Sequence, residues 1–561
     1  MRPSPLVRIL ASGVLAACGS GDSSGPPVVP CTTTGGQSVT LSVGQYQSIP
    51  PVANAGCLIF PGNASLIDSA VYLLFPQLAT DSEGATAPFV LDGDTLHVTA
   101  AVQPSAAAMV ETRDPAVRFH NFLRRQERTH WADLPAAPPA MAPSPSRSPA
   151  ATPPPTVGST RTFSVCRNLT CSAFQSVTAT AKTVSGHLAL YVDNAAPTGG
   201  LSQADYDSLG VVFDSRLYAL DTTAFGRESD IDNNTVVAVL MSNVVNKLVT
   251  KSQCTQTGFV AGFFFGADID PAFVNDPRFN HGEVFYSIVA DPDSTLSCPH
   301  SVTQIKRLVP VTFVHEFQHM ISYNQHVLLR SGEPQATWLD EGLSHFAEEL
   351  GGRSYLPGDQ TTFSNYVIGD LFNAYGFLDS SGSHFLAFSS GIGSLPERGA
   401  AWMFVRYLTD QFATDTTFAA VATFTRSLDQ TNLLGAAAVT AATGQPFTTL
   451  LSRWALANYV SDLPGFTAPP ELQYVSWNFR TTFASLHAQR PSTFPKVFPL
   501  TPPQSLATAV SLSGTLRAGS GYYVLASQPP SDPGFTLLFS GPGGAALPSA
   551  LVPRLNVIRL Q

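Results

Sequence analysis

The sequence predicts an α+β protein: a central domain of mixed sheet and helices, flanked by two small β domains. Three observations carry this prediction. Short apolar runs broken by Gly, Pro and Asn fill the N-terminal part and recur near the C-terminus, which is typical of β-strands. Between them, apolar residues recur every three or four positions, which indicates amphipathic helices. A continuous apolar run at 236–241 lies among those helices and predicts a buried strand.

Composition sets the expected boundaries, since 561 residues allow several domains. Residues 135–155 are rich in Pro, Ala and Ser, and such a segment forms a semi-stiff spacer rather than a core. We expect a signal peptide, a lipid-anchored tether, an N-terminal β domain, a helical and Pro-rich linker, a central domain and a C-terminal β domain. These span 1–17, 18–30, 31–115, 116–157, 158–465 and 466–561 in that order.

The first eighteen residues indicate export. Arg2 and Arg8 accompany a short apolar run, and a Leu-Ala-Ala-Cys segment ends at Cys18. A positive start, a short apolar run and small residues at a cleavage point are typical of a signal peptide. The cysteine makes the segment resemble a bacterial lipoprotein signal, which implies lipid attachment to Cys18. We therefore expect an exported protein, anchored to the bacterial outer membrane or cell surface only through that lipid.

Cysteine usage agrees with export. Of seven cysteines, six remain beside Cys18, and an even number in an exported protein predicts disulfides. Fifteen pairings are open in principle, and buried free thiols are the alternative. Nearness in the sequence favours the pairs Cys31–Cys57, Cys166–Cys171 and Cys254–Cys298.

Charge and hydropathy exclude two classes of protein. Charged residues make up 12%, the formal net charge is −10, and no basic stripe occurs, so no nucleic-acid partner is expected. Hydrophobic residues make up 44%, which excludes a disordered chain. No apolar run reaches the roughly 18 residues that a membrane span needs. The oligomeric state stays open.

The segment around residue 315 carries the clearest chemical signal. His315 and His319 are four positions apart in an apolar stretch, so on a helix both imidazoles project from one face. Two neutral imidazoles at that spacing can bind one zinc ion. Glu316 points in a neighbouring direction, from which it can take a proton from a metal-bound water. Pro310 suits the first turn of this helix, where its missing N–H costs nothing.

A catalytic zinc site needs three protein ligands and a water molecule. Glu341 is the candidate for the third ligand. It lies near the start of a second predicted helix, for which Asp340 would be the N-cap. The chain between His319 and Glu341 is long enough to turn and return, so the second helix can pack beside the first.

These motifs resemble those of the gluzincin metallopeptidases, with His-Glu-x-x-His at 315–319 and Trp-Leu-Asp-Glu-Gly at 338–342. The longer downstream segment, and Phe-Gly-Arg-Glu-Ser-Asp at 225–230, resemble the hyicolysin family of secreted bacterial peptidases. The resemblance covers roughly residues 200–410. It implies a zincin-type central domain, one zinc ion with Glu341 as third ligand, and hydrolysis of protein or peptide substrates.

Departures from related families refine this expectation. Aminopeptidases of the clan carry a Gly-Ala-Met-Glu-Asn segment that holds the free amino group; its absence favours an endopeptidase. Thermolysin-like enzymes carry an Asp where this chain has His345. Glu348 matches the Glu that aminopeptidase-like gluzincins use to orient a zinc-binding histidine, and Glu349 is assigned to a solvated helix face. Four residues are candidates for a second donor to the substrate carbonyl: Tyr366, Tyr375, His384 and Tyr407.

Three functions remain open at this point: a zinc endopeptidase with Glu316 as general base, an aminopeptidase of the same clan, and a surface-binding protein with a vestigial peptidase fold. Glu316 favours an enzyme, because a pseudoenzyme has no need of it. Asp230, Asp232 and Asn234 alternate like the start of a Ca²⁺ loop, but the later Gly and Glu of that loop are missing. We therefore favour a turn there over a calcium site.

Overall fold

A computed structural model of the protein describes residues 31, 36–51, 56–93, 114–132, 134, 153–391 and 393–561. The predicted signal peptide, Cys18 and the tether lie outside these residues. The described part combines helices with three sheets, which confirms the prediction of an α+β protein. None of its helices is both long and apolar enough to cross a bilayer.

The first elements are short strands followed by one helix: β1 (Gln37–Ser38), β2 (Tyr46–Ile49), β3 (Cys57–Phe60), β4 (Ala70–Leu78), β5 (Thr86–Gly93) and α1 (Pro115–Arg128). Asp114 caps α1, since its Oδ1 accepts the N–H of Ala116 at 2.8 Å. The helix buries Phe119 and Leu123 completely. The helix is therefore packed into the core, whereas the sequence analysis assigned it to a linker. An amphipathic pattern predicts that one face is buried, but it does not identify the element that buries it.

The central part forms a six-stranded sheet with helices: β6 (Thr160–Cys166), β7 (Phe174–Val184), β8 (Leu188–Asp193), α2 (Gln203–Val212), α3 (Ala219–Ala224), β9 (Val237–Met241), α4 (Asn243–Asn246), α5 (Lys251–Gln256), β10 (Gly262–Phe264) and β11 (Val284–Ser287). Its strand order is β10-β11-β9-β8-β7-β6. Strand β9 pairs in parallel with both β8 and β11. The apolar run at 236–241 is thus a central strand, buried as parallel strands are. Strand β10 forms one edge.

Eight helices follow in the described chain: α6 (Val302–Tyr323), α7 (Thr337–Arg353), α8 (Gln360–Asp379), α9 (Leu395–Phe412), α10 (Phe418–Asp429), α11 (Gly435–Thr443), α12 (Phe447–Val460) and α13 (Phe479–Gln489). Two expected helix starts are wrong. Helix α6 begins eight residues before Pro310, because the Ser301 side chain caps it by accepting the N–H of Gln304 at 3.2 Å. Helix α7 begins at Thr337, so Asp340 lies inside its first turn instead of capping it.

The chain closes with β12 (Gln504–Leu506), β13 (Ser511–Arg517), β14 (Val524–Gln528), β15 (Phe535–Ser540) and β16 (Pro553–Arg559). These strands join the N-terminal ones in two five-stranded sheets, ordered β1-β3-β15-β5-β13 and β12-β14-β4-β16-β2. The prediction of separate β domains at 31–115 and 466–561 is therefore wrong, and α13 adds a helix within the second range. An apolar strand pattern shows that a segment pairs, but it does not identify the partner.

The structure joins three cysteine pairs: Cys31–Cys57, Cys166–Cys171 and Cys254–Cys298, with Cα–Cα distances of 5.3, 4.9 and 5.6 Å. These distances lie within the range that disulfides require. The pairing expected from nearness in the sequence is the pairing observed.

Candidate metal centre

Helices α6 and α7 lie side by side and bring together the three predicted metal ligands. His315 and His319 stand one turn apart on α6, with ring centroids 4.9 Å apart. Glu341 projects from α7, and its Oε2 lies 3.7 Å from His315 Nε2 and 3.9 Å from His319 Nε2. All three side chains are buried, with 7%, 1% and 0% of their surface exposed, respectively. The structure thus gathers residues that are distant in the sequence around one point.

The donor set fits a metal ion. Tetrahedral zinc ligands about 2.1 Å from the ion lie about 3.4 Å from each other, close to the spacing seen here. Glu341 Oε1 is buried and has no hydrogen-bond partner among the described residues, so the protein alone does not satisfy this carboxylate. Burial lowers the pKa of His315 and of His319 well below its ordinary value, which keeps both imidazoles neutral, as metal ligands must be.

A second cluster shares His315 but serves a different purpose. Glu348 Oε1 lies 2.7 Å from His315 Nδ1 and 3.0 Å from His345 Nδ1. These are hydrogen-bond distances, too short for two ligands of a single ion. Glu348 therefore accepts a hydrogen bond from the Nδ1–H of His315. The other nitrogen of that ring, Nε2, is directed towards Glu341. The structure puts Glu348 where a residue that orients a ligating histidine must lie.

Asp340 holds the other histidine, a role that the sequence interpretation missed. Its Oδ2 lies 3.0 Å from His319 Nδ1 and 3.4 Å from Arg124 Nη1. The Asp340 side chain is buried inside the first turn of α7, so it faces α6 and α1 instead of the helix end. An acidic residue directly before Glu341 on the same helix was the available signal for this role.

Glu316 lies beside the three predicted ligands and is not one of them. Its Oε2 accepts the backbone N–H of Phe264 on β10 at 2.9 Å, and its Oε1 lies 3.5 Å from His120 Nδ1. Burial raises the pKa of Glu316 to about 8, against the opposing effect of the Arg124 guanidinium. A carboxyl group with such a pKa can hold and release a proton near neutral pH.

His345 stands beside His315, with ring centroids 4.8 Å apart, and its side chain is buried. Its Nδ1 lies 2.8 Å from Asp370 Oδ1. Burial alone would lower the pKa of His345, but the Glu348 and Asp370 carboxylates outweigh it and raise the pKa to about 10. The ring therefore shares its Nδ1 side with two acidic groups, and burial raises the pKa of Asp370 well above its usual range.

Arg398 on α9 is a further neighbour that no local pattern indicated. Its Nη1 donates to Glu341 Oε2 at 2.5 Å, and its Nη2 donates to Asn121 Oδ1 of α1 at 3.3 Å. Gly342 lets α9 approach, since a Cβ there would meet the Ala401 carbonyl at 3.0 Å. The guanidinium thus contacts Oε2, the same carboxylate oxygen that lies near both imidazoles, whereas Oε1 has no hydrogen-bond partner among the described residues.

The four expected candidates for a second donor point elsewhere. Tyr375 Oη accepts the N–H of Lys496, and Tyr407 Oη donates to the Glu471 carbonyl. His384 Nδ1 lies 3.5 Å from Glu397 Oε1. Tyr366 packs on Tyr355, with ring centroids 5.7 Å apart. These contacts involve none of the metal-centre side chains. His120 of α1, which the sequence did not single out, lies 3.5 Å from Glu316 Oε1.

The segment from Asp230 to Asn234 forms the turn before β9. Asn234 donates its backbone N–H to Asp230 Oδ1 at 2.9 Å and its side-chain amide to Asp232 Oδ2 at 2.7 Å. Glu283 lies alongside and accepts the Ser229 hydroxyl. Asp230 Oδ1 and Asp232 Oδ2 are thus used in hydrogen bonds of the turn, whereas Asp232 Oδ1 has no hydrogen-bond partner among the described residues. Asp230, Asp232 and Glu283 also lie close enough together to hold a metal ion.

Comparison with known proteins adds one relative. A metalloprotease resembles part of this chain. The chain is 27% identical over 144 residues to the neutral metalloprotease ShpI of Staphylococcus hyicus. The similarity covers 26% of this chain and 30% of that protein, so the chain matches less than a third of its relative's length. No family model matches the chain.

Proposed function

We propose that the protein is a zinc-dependent peptidase that cleaves within protein chains. One observation carries this proposal: His315 Nε2, His319 Nε2 and Glu341 Oε2 converge with the spacing of a three-ligand metal site. Glu316 stands beside them, held by the Phe264 N–H and outside the proposed ligand set. The similarity to a neutral metalloprotease supports the same chemistry independently. A zincin-type fold of the central part is included in this proposal.

The residues of the chain divide the work. His315, His319 and Glu341 would hold the zinc ion, which lowers the pKa of a water molecule and polarises the scissile carbonyl when bound. Glu316 takes a proton from the attacking water and delivers it to the leaving amine. The Phe264 N–H fixes one oxygen of Glu316, so the carboxyl group keeps its orientation through both transfers. Glu348 and Asp340 hold the histidine rings in the ligating orientation.

Substitution of Glu316 by Gln tests the proposal. The amide keeps the shape and the Phe264 contact but cannot take a proton, so casein hydrolysis should fall at least about 100-fold while stoichiometric zinc is retained. The same change at the exposed Glu333 should leave the rate unchanged. Peptides with blocked N-termini, assayed in parallel, should also be cut. Full activity of E316Q would refute the role of Glu316, and cleavage of free N-termini alone would indicate an aminopeptidase.

We also propose that the protein is exported and held at the membrane by a lipid on Cys18. The leader-like sequence and the three disulfide pairs support this location. Cys18→Ala should move the protein from the membrane fraction to the soluble fraction of expressing cells, and unchanged fractionation would contradict the anchor.

A further inference from the structure

Helix α1 covers the metal centre from the side of the sheet edge. Phe119 is fully buried and packs against Phe263 of β10, with ring centroids 4.8 Å apart. Directly after the helix, Trp131 packs against Phe265 at 5.4 Å. The helix is therefore seated on the edge strand that also supplies the Phe264 N–H to Glu316.

Polar side chains of α1 reach into the centre itself. His120 Nδ1 lies 3.5 Å from Glu316 Oε1, and Arg124 Nη1 lies 3.4 Å from Asp340 Oδ2. Asn121 Oδ1 accepts a hydrogen bond from Arg398 at 3.3 Å. Each of these three α1 side chains is buried. One helix thus contacts the proposed general base and the partners of two proposed ligands.

Charge complementarity holds α1 in this position. The Arg124 guanidinium lies among carboxylates and also pairs with Glu127 Oε1 of its own helix at 2.9 Å. The nearby carboxylates of Glu316 and Glu341 attract the same guanidinium. A cationic side chain therefore projects into a buried group of acidic side chains, where charges attract more strongly because water is excluded.

Access to the centre is blocked while α1 is docked. Glu316, His319 and Glu341 are at most 1% exposed and His315 is 7% exposed, so a protein substrate cannot reach them while α1 keeps this position. Helix α1 takes part in no strand pairing. The strands before and after it in the chain pair with other strands: β5 with β13 and β15, and β6 with β7. The helix can leave without breaking a strand pair.

From these contacts we propose that α1 is an internal inhibitor, which fills the substrate cleft of the proposed peptidase and must leave it before a protein chain can be cut. The inference rests on the proposed function. On this inference, His120, Asn121 and Arg124 hold α1 in the cleft and take no part in catalysis.

Excision of the helix tests the inference on the folded chain. Recognition sequences for a site-specific protease are inserted between residues 113 and 114 and between residues 156 and 157, and casein hydrolysis is measured before and after cutting. We expect hydrolysis to rise at least tenfold after cutting, and to fall again when a peptide of residues 114–132 is added. An unchanged or lower rate after cutting would overturn the inference.

A binding assay gives a second readout that does not depend on catalysis. In the Glu316→Gln chain, Phe119→Asp should weaken the packing of α1, because it buries a charge in place of an aromatic ring. The control is Arg118→Asp, which introduces the same residue at the neighbouring exposed position. A fluorescein-labelled casein peptide should bind at least tenfold more tightly to the first variant than to the second. Equal affinities would overturn the inference. If neither cut nor uncut protein hydrolyses casein, the proposed function fails, and this assay still decides the role of α1.

Discussion

Each imidazole of the metal centre is held by a carboxylate from α7, Glu348 for His315 and Asp340 for His319. A carboxylate on Nδ1 keeps the proton on that nitrogen and leaves the Nε2 lone pair free for a cation. The two acceptors lie eight positions apart on one helix, so a single rigid element orients both rings. The metal affinity should therefore depend on residues that never touch the metal.

Removal of the Asp340 carboxylate measures this dependence. Asp340→Ala should weaken zinc binding about 10- to 100-fold, because His319 Nδ1 loses its carboxylate acceptor and is left with the Ser344 hydroxyl at 3.1 Å. Competition titration with a chromophoric chelator provides the affinity. Asp293→Ala, at an exposed aspartate, is the control and should bind zinc as the unchanged chain does. An unaltered affinity in the Asp340 variant would show that the ring needs no such acceptor.

Asp268, close to the end of β10, predicts a pH dependence of stability. Burial raises its pKa to about 7, although the Tyr286 hydroxyl donates to it at 2.5 Å. The folded chain thus binds a proton between about pH 4 and 7 that the unfolded chain releases, and stability from this group is lost as the pH rises through 7. The cost of Asp268→Asn should shrink by about 3 kcal/mol between pH 4.5 and pH 8. Urea unfolding at both pH values measures it, and a constant cost would contradict the assignment.

At the scale of elements, Glu349 ties α7 to its neighbours. Its Oε1 accepts hydrogen bonds from Arg353, Arg406 and Trp477, and its Oε2 accepts one from Trp402. The expectation that Glu349 lies on a solvated face is wrong, since the side chain is fully buried. Helical periodicity predicts which residues share a face of α7. It does not predict that α9 and the segment before α13 pack against the face that carries Glu349.

Truncation of Glu349 should destabilise the protein strongly. Glu349→Ala leaves the Arg406 guanidinium buried with fewer acceptors, and breaking a buried pair in this way costs about 3–5 kcal/mol. Equilibrium unfolding in urea measures the loss. The exposed Glu333 changed to Ala should cost less than about 0.5 kcal/mol. Similar stability of both variants would mean that the buried network contributes little.

The sequence predicted local features well and long-range partners poorly. The pair His315 and His319, one helical turn apart, is a local pattern, and so is the buried strand at 236–241. Arg398 and Asn121 reach the centre from elements far away in the chain, and no spacing rule connects them to Glu341. The predicted helix start near Pro310 is wrong, because the Ser301 cap lies upstream. Helix α6 continues through Pro310, although a proline inside a helix removes one backbone hydrogen bond.

At the scale of the whole molecule, the two ends of the chain share their sheets. Strand β16 pairs with β4 over seven residues and with β2 on its other side. These sheets also contact the helices, where Tyr523 Oη donates to the Ala455 carbonyl of α12 at 2.7 Å. Loss of one terminal strand should therefore disturb N-terminal and C-terminal segments together.

Deletion of residues 553–561 tests this coupling. We expect β2 to lose its pairing partner and β4 to gain an open edge, so limited proteolysis should cleave within residues 36–93 at least tenfold faster. Replacement of the exposed Leu506 by Ser, in a short edge strand, is the control and should leave the cleavage rate unchanged. Equal resistance to proteolysis would show that the N-terminal strands are stable without β16.

N-terminal and C-terminal strands are neighbours in both five-stranded sheets, which constrains the order in which the chain can fold during translation. Strand β4 is synthesised hundreds of residues before β16, so it leaves the exit tunnel with its apolar residues Leu73, Leu74 and Phe75 uncovered. The central sheet and the helices can assemble in the meantime, because their partners are near in the chain. The nascent N-terminal strands must therefore be shielded, by a chaperone or by the translocation channel, until translation reaches its last strand.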